Sequence, residues 1–216
     1  MTSETKNTKE PNTLDPEALS VEDKHQKKMA KKKKVVDERI AKATEERGVL
    51  ILLKGAGKGK SSSAFGTMAR SLGHGQKAGV IQFIKGRQET GEHIFFKDHP
   101  MVDFHVMGHG FTWETQDINQ DIDAAKKAWE IAKQMLADDS YNILVFDELS
   151  YMFKYKYLDV DECVKDIVAR PENQNVMITG RTMHKALQKI ADTISDIQDV
   201  QHAFRLGVKA QRGIEW

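Results

Sequence analysis

The stretch LLKGAGKGKSSSAFG, Leu52 to Gly66, constrains this chain more than any other part of it. An apolar run, Val49 to Leu53, passes through a glycine-rich turn into SSSAFGTMARSL, where Phe65, Met68 and Leu72 fall on one helical face. Strand, glycine turn and helix in that order make a phosphate-binding P-loop. Gly55, Gly57 and Gly59 are expected to let backbone N–H groups converge on phosphate oxygens, and the helix N-terminus adds about half a positive charge. Lys60 supplies the neutralising ammonium and Ser61 a hydroxyl able to ligate Mg²⁺. The loop is one residue short, however. It reads G-x-x-x-G-K-S where the usual spacing places four residues between the glycines, and counting back five from Gly59 lands on Lys54.

Around this loop, short apolar runs alternate with helical periods, the pattern of βαβ units. Strands are expected at Val49–Leu53, Gly79–Ile84, Val102–Met107, Ile143–Phe146 and Val176–Thr179, with a weaker one near Val200–Ala203. Val160, Cys163, Val164, Ile167 and Val168 make one apolar helical face behind Asp159 and Glu162, which sit as cap and third-position acid. Ile122, Ala125, Trp129, Ala132 and Met135 or Leu136 mark another, and Cys163 and Trp129 on these stripes read as core. The expected fold is α/β over residues 47–216: a RecA-like P-loop domain with a mostly parallel sheet of about six strands and helices on both faces. Residues 1–20 are too polar to bury a core and are expected to be disordered. Residues 21–46 suit a polar helix in need of a partner. Its run Lys31 to Lys34 reads either as a solvated face or as an anion contact.

Across 216 residues, 33 Lys and Arg nearly balance 32 Asp and Glu, so overall charge points to neither nucleic acid nor an anionic membrane. The one cysteine precludes an internal disulfide and fits a reducing cytoplasm. No membrane partner is expected.

Chemistry beyond the loop collects where strands end. Ile143 to Phe146 run into Asp147 and Glu148, where one acid can hold Mg²⁺ directly or through water. The strand at Val176–Thr179 runs on through Gly180 into Arg181, and Arg70 lies on the P-loop helix; either reads as a phosphate-facing cation or as a surface one. In the loop GHGFTWETQ, Phe111 and Trp113 fall on no helical stripe, so they read equally as loop anchors or as a platform for a flat ligand.

GAGKGKSSSAFGTMARSLGHG, QFIKG, GFTWETQ, FDELSY, ITGR and GVKAQRGIEW, in that order over about residues 40–216, together resemble the P-loop type of ATP:corrinoid adenosyltransferase. The resemblance implies ATP seated in reverse of the usual P-loop orientation, exposing the ribose 5′ carbon. Adenosyl then passes to the cobalt(I) of cob(I)alamin or another corrinoid, and triphosphate leaves. It implies triphosphate contacts from Lys58, Lys60, Ser61, Ser62, Arg70 and Arg181, and Mg²⁺ or Mn²⁺ on Ser61 and Glu148 with Asp147 behind. Phe111 and Trp113 would pack under the corrin ring and displace its lower axial ligand, easing reduction of the cobalt(II) form. A homodimer, an electron-donating flavoprotein and a lid formed by residues about 24–44 are implied as well. The chain departs from the family's T-G-N-G opening with Lys54-Gly55-Ala56-Gly57, which removes an Asn side-chain contact to the nucleotide, and has serines at 61 and 62 for threonines. The competing readings are a conventional P-loop ATPase or kinase that cleaves the β–γ bond, and a nucleotide-gated nucleic-acid binder using Lys27 to Lys34. On the resemblance, Trp113→Ala is expected to impair adenosyl transfer that starts from cobalt(II) with a mild reductant far more than transfer from chemically supplied cobalt(I). Parallel anaerobic assays compare the two; equal losses contradict the axial-ligand role.

Overall fold

The structure is a computed structural model that describes residues 20–84, 89–107 and 118–216. The chain divides into two units, residues 1–45 and 46–216. In the first, α1 (Val21–Lys42) opens with Ser20, whose side chain accepts the N–H of Asp23 while the Asp23 carboxylate reaches back to the Ser20 N–H. This reciprocal pair satisfies two of the free donors of a helix start. The helix buries no residue and leaves Met29, Val35, Val36 and Ile40 exposed. The expected disorder of residues 1–20 falls almost wholly outside the described residues.

In the second unit the elements run β1 (Leu50–Lys54), α2 (Lys60–Gly73), β2 (Ala78–Gln82), α3 (Gly91–Phe96), β3 (Val102–Val106), α4 (Ile118–Ala137), β4 (Ile143–Asp147), α5 (Ser150–Lys154), α6 (Val160–Val168), β5 (Asn175–Gly180), α7 (Lys185–Ile190) and β6 (Thr193–Asp196), followed by a 3₁₀ turn at Ala203–Leu206. The six strands form one sheet in the order β3-β2-β4-β5-β1-β6, with every neighbouring pair parallel. Because β5 lies between β1 and β4, the phosphate loop and the acids after β4 are separated by one strand, the RecA-like arrangement.

The central strands read as unbroken apolar runs because both faces are covered. Leu50, Leu52, Leu144, Phe146, Val176 and Ile178 face a core completed by Trp129, Ala132 and Leu136 of α4, Cys163 and Ile167 of α6 and Leu187 of α7. The alternate residues Leu53, Val80, Ile143, Val145 and Met177 face Ala64, Phe65 and Met68 of α2 and Phe96 of α3. Phe83, Trp129 and Phe146 meet with ring centroids 5.7–6.4 Å apart. The Trp129 indole N–H donates to Asp166 at 2.8 Å, which satisfies the buried donor and ties α4 to α6. Burial pushes the Cys163 thiol up, leaving it unreactive at neutral pH.

Two expectations need correction. The sixth strand is Thr193–Asp196, not Val200–Ala203; Val200 is exposed and Ala203 begins the 3₁₀ turn. An edge strand with one apolar residue, Ile194, lacks the hydrophobic run by which central strands are recognised. On α6, capped by the Asp159 side chain as expected, Val168 is 58% exposed while Ile167 is fully buried. The last residue of a short helix has turned off the buried stripe. Ile167→Ala is therefore expected to cost about 2–5 kcal/mol and Val168→Ala less than about 0.5 kcal/mol; urea unfolding of the two variants measures the difference.

Candidate functional site

All six strands are parallel, so their carboxyl ends share one edge, and ligands of open parallel sheets bind beyond that edge. The phosphate loop follows β1 there. It is held from both sides: Gly55 N–H donates to the Arg181 carbonyl at 3.2 Å, Gly57 N–H to the Ile197 carbonyl at 2.7 Å, and Ile197 N–H to the Lys54 carbonyl at 2.8 Å. A Cβ on Gly55 would stand 2.3 Å from the Ile197 carbonyl oxygen, so only glycine lets the loop lie this close to the segment after β6. Both of these glycine amides are therefore paired within the protein. The amides of the first turn of α2, Lys60, Ser61 and Ser62, are open to an anion, since the first bond into that helix is Ser63 N–H to the Gly59 carbonyl, and those of Ala56, Lys58 and Gly59 in the loop likewise donate to no backbone carbonyl. Gly59, at φ 110°, turns the chain into the helix where an L side chain would be strained.

A cavity of about 860 Å³ opens over this turn. Its loop side is Ala56 to Ser62, with Glu148 and Arg181 beside it. Lys60 is buried and donates from Nζ to the Gly57 carbonyl at 2.8 Å. Burial holds its ammonium below the usual lysine range, and Glu148 pulls the other way. Lys58 pairs with the Glu215 carboxylate, so one phosphate-loop cation is neutralised by the chain's own C-terminal segment. Lys54 pairs with Asp196 at 2.6 Å and joins the ends of β1 and β6.

The two acids after β4 have different surroundings. Asp147 is buried and accepts from Thr179 Oγ1 at 2.7 Å and Gln82 Nε2 at 3.3 Å. Glu148 has φ 57°, a conformation that costs a non-glycine residue about 1–2 kcal/mol. Its Oε2 is buried without a hydrogen-bond partner. Burial, and then the charge of Asp147, push the Glu148 carboxyl up to about 7. An acceptor oxygen with no donor, on the wall of a cavity that Ser61 also lines, fits a hard divalent cation completed by phosphate oxygens and water. Among the described residues no cluster of three or more His, Cys, Asp or Glu forms a metal cage of its own.

Of the residues read as site residues from sequence, Gly57, Lys58, Gly59, Lys60, Ser61, Ser62, Glu148 and Arg181 line this one cavity. Gly55 shapes the loop from beneath. Arg70 is not brought there: it is exposed, ten residues along α2 from Lys60, or about 15 Å of helix. Phe111 and Trp113 lie outside the described residues. The far wall escaped sequence reasoning as individual residues: Phe95 of α3 with Phe204, Glu215 and Trp216 of the C-terminal segment. The available signal was position, because residues that follow the last parallel strand belong to the same edge.

Comparison with known proteins agrees with this geometry. The family model ATP:corrinoid adenosyltransferase BtuR/CobO/CobP matches residues 46–216. A protein of Pseudomonas aeruginosa named corrinoid adenosyltransferase is 51% identical over 201 residues, covering 93% of this chain and 99% of that one. One of Escherichia coli (strain K12) with the same name is 46% identical over 195 residues, covering 90% and 99%. Another, from Sinorhizobium, is 39% identical over 196 residues, covering 89% and 92%.

The raised Glu148 carboxyl predicts a pH dependence of the ligand-free chain. In the folded state Glu148 holds its proton up to about pH 7, whereas unfolded it ionises near pH 4.5. Between those values the folded state binds more protons, so this group's contribution to stability falls as pH rises, by up to about 1.4 kcal/mol per unit, and levels off above. Denaturant unfolding of the wild type and Glu148→Gln from pH 5 to 8 should show the wild type losing more stability than the variant across that window. Parallel profiles contradict the raised carboxyl.

Proposed function

The chain belongs to the ATP:corrinoid adenosyltransferase family, and on that premise we propose that it transfers the 5′-deoxyadenosyl group of ATP to the cobalt(I) of a corrinoid, releasing triphosphate. The observation that carries the proposal is the shortened phosphate loop. It sits at a helix N-terminus in a P-loop domain, and the cavity over it extends past the phosphate position to an aromatic wall.

In this reaction the electron pair of cobalt(I) forms the cobalt–carbon bond while the C5′–O bond breaks and its pair leaves with triphosphate. The corrinoid is itself the nucleophile, so the protein needs no activated Ser or Cys and no general base. What it supplies is placement and charge. The first-turn amides of α2 with Lys58, Lys60 and Arg181 bind the triphosphate and take up the charge that grows on it as C5′–O breaks. Lys60 is held to one position by its bond to Gly57 and is partly desolvated, so its charge is weakly screened. Mg²⁺, held by Ser61 and Glu148, would supply further neutralisation of the triphosphate oxygens; the partnerless Glu148 oxygen supports that assignment. Lys58 must exchange Glu215 for phosphate, so the C-terminal segment adjusts when the nucleotide enters.

The remaining assignments rest on the family resemblance. Phe111 and Trp113 take the corrin face, the protein works as a homodimer in a reducing cytoplasm, and a flavoprotein delivers the electron. The α1 helix closes over the bound corrinoid; its lack of any buried residue and its exposed Met29, Val35, Val36 and Ile40 support a helix that needs a partner.

Anaerobic incubation with ATP, Mg²⁺ and chemically reduced cob(I)alamin is expected to yield light-sensitive adenosylcobalamin and triphosphate in equal amounts. Lys60→Ala should lower the rate by about 100-fold or more. ADP and phosphate without a cobalt–carbon product would instead mean a conventional P-loop hydrolase.

A further inference from the structure

We propose that Thr179, at the end of β5, is the positioning residue that aims the Glu148 carboxylate at the metal of the nucleotide complex. The proposal rests on the metal–nucleotide reading of the site above.

Glu148 keeps its left-handed backbone only because its surroundings hold it there. Its carbonyl accepts the Tyr151 N–H at 3.2 Å, and on its N–H side the holding group is a hydroxyl. Thr179, with no exposed surface, accepts the Glu148 backbone N–H at 2.9 Å and donates to Asp147 Oδ1 at 2.7 Å. A hydroxyl carries one hydrogen, so the two bonds have complementary directions and neither can be exchanged for the other. Together they clamp both sides of the Asp147–Glu148 peptide, on which the direction of the Glu148 side chain depends. The clamp is itself rigid. Thr179 is β-branched, with restricted χ1, and it pairs in register with Leu53 of β1. On the other side, Gln82 of β2 donates to the second Asp147 oxygen. Behind it, β5 lies so near the turn after Glu148 that a Cβ on Gly180 would stand 1.9 Å from Ser150 Oγ. Thr179 thus links the strand that presents Arg181 to the acid that faces the metal, without touching ligand itself. Partners that orient a metal-binding carboxylate typically change metal affinity or activity by about 10–100-fold when removed.

The test titrates Mn²⁺ into the full chain with saturating ATP, read by electron paramagnetic resonance. Thr179→Val preserves shape and removes both bonds; it is expected to weaken Mn²⁺ binding by about 10–100-fold while leaving metal-free ATP binding, measured in EDTA, unchanged. Thr179→Ser restores the hydroxyl and should recover most of the Mn²⁺ affinity. A Thr179→Val chain with wild-type Mn²⁺ affinity overturns the proposal whatever its melting temperature, and so does a serine variant no better than the valine one. Independent of any variant, the Glu148 amide of the wild type should exchange as slowly as that of Phe146 within β4; exchange at the rate of an exposed turn overturns the proposal. A wild type that binds ATP yet takes up no Mn²⁺ overturns this inference and the metal assignment together, whereas a loss confined to Thr179→Val upholds both.

Discussion

Gly57 donates its N–H to the Ile197 carbonyl, Ile197 donates to Lys54, and Gly55 donates to Arg181. These three backbone bonds hold the phosphate loop between the ends of β5 and β6. With two of its glycine amides so occupied, the loop has fewer donors left to offer an anion, and the first turn of α2 adds its own. A short loop with a strong helix terminus binds the end of a polyphosphate well and leaves the rest of the nucleotide to other walls. That division suits chemistry at the 5′ carbon, away from the β–γ bond.

Charges around the loop are arranged as a set. Lys60, Arg181 and Glu148 line one cavity, Glu148 with an unpartnered oxygen, and Asp147 is withdrawn into the sheet by Gln82 and Thr179. The neighbouring carboxylates thereby acquire separate tasks. One is fully hydrogen-bonded and structural, and the other is desolvated and aimed at the cavity. Burial, with the Asp147 charge, pushes the Glu148 carboxyl up to about 7. On the other wall, the C-terminal segment supplies Glu215 as the counter-charge of Lys58.

Much of the fold was legible because it follows from local patterns. The continuous apolar strands, the helix after Gly59 and the Asp159 cap each depend on a few adjacent residues. What escaped depends on neighbours distant in sequence. The edge strand β6 has only Ile194 to mark it and exists because β1 offers it a free edge. Val168 lies off the buried face because of where α4 and α7 pack on α6, not because of its own spacing.

The sequence by itself determined the kind of protein: a parallel P-loop sheet, a shortened loop ending in Gly-Lys-Ser, paired acids after β4, and family motifs in order to Trp216. Residue types and their spacing carry that information, since a phosphate needs amides and a lysine at a helix start wherever they occur. Only the tertiary structure decided which amides are spent within the protein, that Thr179 and Gln82 hold Asp147 in the sheet, and that Phe95 and the C-terminal segment form the far wall of the cavity. Those outcomes depend on hydrogen bonds and desolvation between residues 30 to 150 positions apart. Spacing along the chain does not encode them; the order of strands in the sheet does.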